Sequence, residues 1–494
     1  MELKLHTRGK KFVGHEHQIK PNMKKSTSNI KSAEKVKTKE WQSAKPNSLH
    51  LNLTILQWLG LWPCDEDTTH FKALFLRIFC CLVITIQASV NIAECMDMVV
   101  NWGHLNNPSE NMYIMGCSLI AIVKEVTIIL KTEKIKDLVN ILNNKLAIQR
   151  KQGSSEYQKI IKSSIKQARM FTLIFISMCS FVGTSYSFVP ILDTLLLQYS
   201  GNETSHRPMP YSAWFPFDVS ETPAYEAAYF YLALVAFFHG VYIPCCDTLF
   251  VTLIIHLCGQ FQILQASLKN IKVDAMKNVQ ATYRERIRRN SLSTKALHTA
   301  TSEPAECDIK DEKHNARIDI SLTDEDLDNE MQYLLKQSIK HHQILLQFVH
   351  ELEYICSPLM VVQLLGSLVL ICFTGFNLAT VPVQSVKFVS ALVFMIAVII
   401  QLLVFCWYSE ELSIQNCKVY QAAYDCDWHE TPKSFMTSIQ LIMKRAQTAR
   451  TLTAANFCSI DLQTFTTIIR LSYSNYAFLR RVYDENSTKS TQPE

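Results

Sequence analysis

Apolar residues are not spread evenly along this chain. Residues 170–192, 359–379 and 388–408 each run for more than twenty residues without an Asp, Glu, Lys or Arg. About 20 helical residues cross the roughly 30 Å of hydrocarbon in a bilayer, so each run is long enough to span a membrane. Four softer runs, 71–93, 112–130, 225–257 and 462–482, bring the number of predicted spans to seven. Backbone groups in lipid must pair within their own segment, and the pattern therefore predicts an all-α polytopic membrane protein with seven transmembrane helices.

Between the spans the pattern changes. Residues 330–356 carry Leu334, Ile339, Ile344, Leu345, Phe348, Leu352 and Ile355 at helical spacing, which predicts an amphipathic helix leading directly into the fifth span. The fourth span likewise runs on past Leu257, so helices are expected to project beyond the bilayer and pack together there. A few charges interrupt the softer spans. Lys124 beside Glu125 reads as a pair near one end of a helix, and Arg470 suits a helix that lines a wet interior.

Two polar blocks explain why a chain with 48% hydrophobic and 19% charged residues has a mean hydropathy of only +0.06. Residues 1–50 hold twelve Lys/Arg against four acids and are expected to form a disordered basic arm. Residues 274–330 read as a disordered charged insert, with RERIRRNSLS in the first half and TDEDLDNE at the end. The division of the chain that follows is arm 1–50, membrane part 51–273 with spans one to four, insert 274–330, anchor helices and spans five to seven 331–482, and a tail 483–494. Within the insert, Arg288 and Arg289 precede Ser291 in the manner of a basophilic kinase site. Ser291 is a candidate phosphorylation switch, the alternative being a tolerated insertion without regulatory use.

The net charge of +5 sits unevenly, and that fixes an expected orientation. Lys/Arg number twelve in residues 1–50 and ten in 131–169, but none in 91–111 and only Arg207 in 198–224. By the positive-inside bias the N-terminus is cytoplasmic and, after seven crossings, the C-terminus extracellular. No apolar stretch of signal-peptide length follows the start, so the first membrane helix is expected to direct insertion. The glycosylation sequon at Asn202 falls in a connection assigned to the outside, whereas the one at Asn52 falls inside.

Candidate chemistry changes little. Of the sixteen cysteines, Cys80, Cys81, Cys117, Cys179, Cys245, Cys246, Cys372 and Cys406 lie in the apolar runs, where a free thiol packs as a small hydrophobe. His341 and His342 are adjacent and point to different faces of a helix, which makes them poor co-ligands for a metal. No phosphate loop, dinucleotide fingerprint, nucleophile elbow or zincin motif is present, so neither an enzymatic role nor a cofactor or metal is expected. The basic arm lacks the interleaved aromatics of a nucleic-acid surface and suits anionic lipid instead.

Five stretches resemble the insect odorant receptor family: LGLWP (59–63), AWFPFDVSETPAYEAAYFY (213–231), HHQILLQFVHELEYICSPLMVVQLLGSLVLICFTGFNLA (341–379), AAYDCDWHETPKSF followed by LIMKRAQTARTLTA, and IDLQTFTTIIRLSYSNYAFLR (460–480). The resemblance covers nearly the whole chain after residue 50. It implies a ligand-gated, nonselective cation channel in the dendrite membrane of a sensory neuron, a heterotetramer in which a tuning subunit joins the odorant co-receptor. The final stretch, SYSNYAFLRRV, lacks the co-receptor's ending, and the resemblance is therefore to a tuning subunit. The arm and the insert are longer than the family usually carries.

The resemblance also implies where ligand and ions go. A small volatile odorant is expected among Tyr113, Cys117, Ser180, Gly183, Thr184, Ser187, Tyr229, Ala233, Phe388, Leu392 and Met395, in the outer halves of the second, third, fourth and sixth spans. Gly183 offers either a close approach of ligand to backbone or a close helix contact. Leu471, Asn475, Phe478 and Val482 share one helical face of the last span and are the candidate pore stripe, with Phe478 and Val482 as a hydrophobic constriction; the alternative is packing against a neighbouring subunit. Two rival classes remain. A seven-helix G-protein-coupled receptor requires the opposite orientation, and a gustatory-type channel usually carries a different C-terminal motif.

Overall fold

The computed structural model describes residues 47–63, 69–100, 108–145, 155–199, 208–300, 324–448 and 451–490. Asn202 lies outside the described residues, as does most of the basic arm. Ten α-helices are described: α1 (Asn47–Trp58), α2 (His70–Val100), α3 (Pro108–Asn140), α4 (Ser155–Tyr199), α5 (Ala224–Lys269), α6 (Ile271–Ala300), α7 (Asp324–Thr380), α8 (Val386–Tyr424), α9 (Lys433–Gln447) and α10 (Leu462–Ser490). A π-helical turn, Ile141–Lys145, extends α3, and one two-stranded hairpin, Thr453–Ala454 with Cys458–Ser459, precedes α10.

Six of these, α2, α3, α4, α5, α7 and α8, are long and apolar enough to cross a membrane. The last helix, predicted as the seventh span, is not among the six, because Arg470, Asn475, Arg480 and Arg481 dilute its apolar residues. The six hold the bundle together around α5. Its most apolar window is 89% buried, against 17–50% in the other five, so it is surrounded by protein where they keep one face bare. At 1.5 Å per residue the 46 residues of α5 and 57 of α7 reach about 70 and 85 Å, far beyond the thickness of a bilayer. Both therefore continue into a helical base, as their unbroken periodicity predicts.

Motif LGLWP ends α1. Gly60 adopts φ of +75°, and an added Cβ there would collide with the carbonyl oxygen of Leu76, so only glycine fits this left-handed stop. The amides of Leu61 and Trp62 fold back onto the carbonyl of Leu56, and Tyr242 donates to the carbonyl of Leu59 at 2.9 Å. Asn52 is buried on the same helix and donates to Thr252 Oγ1 at 3.0 Å, which leaves that sequon no access to solvent.

Two polar segments depart from expectation. The insert is helical at both ends: α6 carries residues 271–300, and residues 324–330 begin α7, with residues 301–323 outside the described set. Ala275 and Val279 bury one side of the first turns of α6, Asn278 reaches Glu330 across to α7 at 2.8 Å, and Glu285 pairs with Arg289 one turn on. Packing at the root and charge pairing beyond it support a helix that its polarity alone disfavours. Ser291 lies on the distal part of α6. The tail differs similarly, since α10 continues to Ser490.

In α7 the buried stripe of the base includes Met331, Leu335, Ser338, His341, His342, Leu345, Phe348, Leu352 and Ile355. Two neighbours on a helix can both be buried only where it is covered from more than one side; α7 packs against several helices here, and the amphipathic α9, with Phe435, Ile439, Ile442 and Ala446 inward, brings Arg445 near His342. Burial pushes His341 down to about 3, helped by His342, and pushes His342 down to about 4, helped by the Arg445 guanidinium. Both are neutral near neutral pH, and each leaves a buried Nε2 without a hydrogen-bond partner. Between the unfolded value of 6.5 and these folded values the unfolded chain binds protons that the folded chain refuses, so stability falls as pH drops. By pH 5 the expected loss is about 2 kcal/mol per histidine. Thermal unfolding in detergent between pH 7 and pH 5 checks this, with His342→Gln flattening the dependence.

Candidate ligand cavity and the final helix

Where α3, α4, α5, α7 and α8 converge, toward the end of the bundle capped by the 208–223 segment, a cavity of about 120 Å³ opens. From α3 it takes Ile114, Cys117 and Ile120, from α4 Cys179, Val182, Gly183 and Tyr186, and from α5 Ala236, His239, Gly240, Ile243 and Pro244. Leu370 of α7 and Phe394, Ala397, Val398 and Gln401 of α8 complete the wall with Tyr211. Apolar surface dominates, as expected for a small-molecule site. Tyr186 and Tyr211 also line a second, larger and more polar cavity of about 550 Å³, together with Tyr113, Asp97, Glu110, Asn377 and Lys387. The two tyrosines thus form the partition between an apolar chamber and a polar one. The hydroxyl of Tyr186 stands 3.3 Å from that of Tyr113, and Tyr211 donates to the carbonyl of Leu232 at 3.1 Å.

Beneath the apolar cavity lies a buried polar network. Lys124 Nζ and Asp247 Oδ1 form an ion pair at 2.6 Å with both side chains only 3% exposed, so Lys124 pairs across helices rather than with Glu125. Glu125 instead accepts from Gln87 at 3.2 Å. Gln401 donates to the other oxygen of Asp247 at 2.5 Å and accepts from Gln363 at 3.3 Å, and Gln363 also donates to Ser367 at 2.9 Å. Asp247 therefore holds both a cation and an amide donor, the satisfaction a buried charge requires.

The α4–α5 seam passes the cavity at two glycines. A Cβ on Gly183 would stand 2.7 Å from the carbonyl oxygen of Ala236 and 2.9 Å from the Cα of Gly240, so the backbones touch. Ser180 donates to the carbonyl of Gly240 at 3.2 Å, Ser187 to that of Ala233 at 3.4 Å, and Tyr229 to that of Ser187 at 2.5 Å. Thr184 turns back onto the carbonyl of Ser180 in its own helix. Small residues and side-chain hydrogen bonds of this kind hold helices together where lipid gives no hydrophobic drive.

Of the residues expected around a ligand, Cys117 and Gly183 line the apolar cavity and Tyr113 the polar one. Ser180, Ser187, Tyr229 and Ala233 belong to the seam, and Thr184 bonds within its own helix. Phe388, Leu392 and Met395 line neither cavity: the face of α8 turned to the space is Phe394, Val398 and Gln401. One residue of offset on a helix rotates the side chain by about 100°, which is enough to exchange one stripe for the next. His239 is a further residue that periodicity did not select; a lone histidine inside an apolar run was its only mark in the sequence.

In α10, Ile468, Ser472 and Tyr476 turn toward α7, Ser472 donating to the carbonyl of Leu368 at 3.3 Å and the ring of Tyr476 lying against Gly375. Leu471, Asn475, Phe478 and Val482 share an adjoining face and are exposed. The helix is fastened at its start. Asp461 accepts from the amide of Thr464 at 2.7 Å and Glu410 from that of Leu462 at 3.0 Å, an N-terminal cap from two elements. Burial raises the Asp461 carboxyl, but hydrogen bonds from Ser459 and Thr464 outweigh it and hold the group below its usual range. The hairpin before it turns through Ala455 and Asn456 at positive φ and is tied to α7 by Ser357 and Glu353 at 2.7 Å each.

The sequence profile of the family described as 7tm Odorant receptor matches residues 105–473, more than half of the chain. The chain belongs to this odorant receptor family. It is 23% identical over 378 residues to Odorant receptor 67c of Drosophila melanogaster, covering 75% of this chain and 79% of that one. It is also 19% identical over 288 residues to the Odorant receptor coreceptor of Anopheles gambiae, covering 53% and 60%. Among solved structures it resembles the insect olfactory receptor OR5 from Machilis hrabei in complex with eugenol, at a TM-score of 0.65 and 16% identity over 88% of this chain and 97% of that one. The two share a fold.

Proposed function

We propose that this chain is the odorant-binding subunit of a heteromeric, odorant-gated, nonselective cation channel that it forms with the odorant co-receptor in the plasma membrane of a sensory neuron. The observation that carries the reading is the apolar cavity enclosed by five helices in a member of the odorant receptor family. In this reading α10 is the seventh crossing, the N-terminus is cytoplasmic, and the α6, α7 and α9 base lies inside. The exposed face of α10 with Leu471, Asn475, Phe478 and Val482 turns to the pore, which explains why a helix with a bare apolar stripe also carries Arg470 and Asn475. Asn202 is then placed for glycosylation outside and Ser291 for phosphorylation inside. Odorant gates by binding the open arrangement of the cavity more tightly than the closed one.

Co-expression with the co-receptor and a panel of small volatile ligands tests the proposal. A ligand-evoked cation current that disappears when the co-receptor is omitted is the expected result, and a current independent of it would sink the assignment. In the same assay Phe478→Ala should alter conductance or ion selectivity, and an N-terminal epitope tag should stay hidden on intact cells.

A further inference from the structure

Among the described polar groups that line the apolar cavity, His239 holds its partner least closely. Both ends of the Gln401 amide are engaged, by Asp247 and Gln363, and the Tyr211 hydroxyl is committed to the carbonyl of Leu232. His239 differs. Its Nδ1 and Nε2 each lie 3.4 Å from the same Ser118 hydroxyl, at the long limit of a hydrogen bond. The two nitrogens flank one ring carbon and their hydrogen-bond directions diverge, so one hydroxyl group cannot satisfy both and at least one nitrogen is left to the cavity it lines. Gly240, the next residue, packs against Gly183 with no room to shift, and this fixes the height of the imidazole in the wall.

We infer that His239 selects the ligand: the cavity takes compact, neutral molecules that carry one hydroxyl group, in preference to hydrocarbons of the same shape. Size sets the first limit. A space of about 120 Å³ is slightly smaller than the roughly 150 Å³ of a dry engineered cavity that binds benzene, so the occupant is about one ring in bulk. Charge sets the second. The Lys124 and Asp247 pair beneath the cavity neutralises itself and leaves no counter-ion for a charged ligand. Hydrogen-bond chemistry sets the third. A neutral imidazole offers a donor or an acceptor according to its tautomer, and Ser118 can take either complementary role. A hydroxyl both donates and accepts, so it fits either arrangement, whereas a ketone fits only one and a hydrocarbon leaves the buried nitrogen unpaired.

This inference rests on the cavity being the odorant site, and the experiment separates the two. Shape-matched pairs such as phenol with toluene and cyclohexanol with methylcyclohexane are applied to cells expressing the receptor with its co-receptor, with surface display measured in parallel. The hydroxyl member of each pair should act at about tenfold lower concentration on the unaltered receptor. His239→Leu should abolish that preference by weakening the alcohols while sparing the hydrocarbons, and His239→Gln, which keeps a donor and an acceptor, should largely retain it. Equal potency within the pairs on the unaltered receptor overturns the inference even where the leucine variant does not reach the surface, and so does a preference that survives His239→Leu. Silence to every pair from displayed complexes overturns the odorant site itself, and the inference with it.

Discussion

Replacement of Lys124 by Met is expected to cost about 3–5 kcal/mol and to remove most of the receptor from the cell surface. The substitution leaves Asp247 as an uncompensated charge, 3% exposed, with only the Gln401 amide to hold it. The loss should not reflect a strong net contribution from the ion pair. A buried pair spends in desolvation much of what it gains in attraction, and replacing both members by neutral groups is often close to neutral. The double variant Lys124→Met with Asp247→Asn carries no charge and keeps a carbonyl oxygen for Gln401. It should recover most of the stability lost in the single variant. Thermal unfolding of detergent-solubilised protein, read beside surface labelling, decides this: a double variant no better than Lys124→Met would show that the pair itself stabilises the bundle.

Gly183→Ala is expected to cost about 1–3 kcal/mol, a large effect for one methyl group. The new Cβ meets backbone at 2.7 and 2.9 Å, and backbone cannot rotate away as a side chain can, so α4 and α5 must separate. Because Gly183 and Gly240 also line the cavity, the same separation should shift odorant potency. Gly375 is the control. A Cβ there stands 3.7 Å from the ring of Tyr476, an ordinary contact, and Gly375→Ala should unfold at nearly the temperature of the unaltered protein. Equal melting temperatures for the two variants would refute the account of the α4–α5 crossing.

The family and the helical class were legible in the sequence because they rest on local signals. Runs of uncharged residues mark membrane helices wherever they occur. The amphipathic lead into α7 was legible for the same reason. Its two histidines were not, since their burial depends on helices that pack around α7 from elsewhere along the chain. The insert misled in the opposite direction: its charge predicts a solvated chain, yet contacts at its root with α7 carry helix into it.

The cavity belongs to what tertiary structure alone decides. Its wall draws single residues from five helices and one connecting segment, and which face of each helix turns inward depends on how that helix is rotated against its neighbours. Periodicity fixes the spacing of a stripe but not its angle, so Phe388, Leu392 and Met395 were as plausible from sequence as Phe394, Val398 and Gln401. Lys124 shows the same limit for charge. Adjacency along the chain suggests Glu125, but consecutive residues on a helix point about 100° apart, and the partner is Asp247, supplied by a helix more than a hundred residues later. By itself the sequence determined an all-helical membrane body with a polar arm and insert, because burial in lipid is written in the composition of each segment. Which side chains meet inside that body was decided by the crossing of the helices, which no single segment encodes.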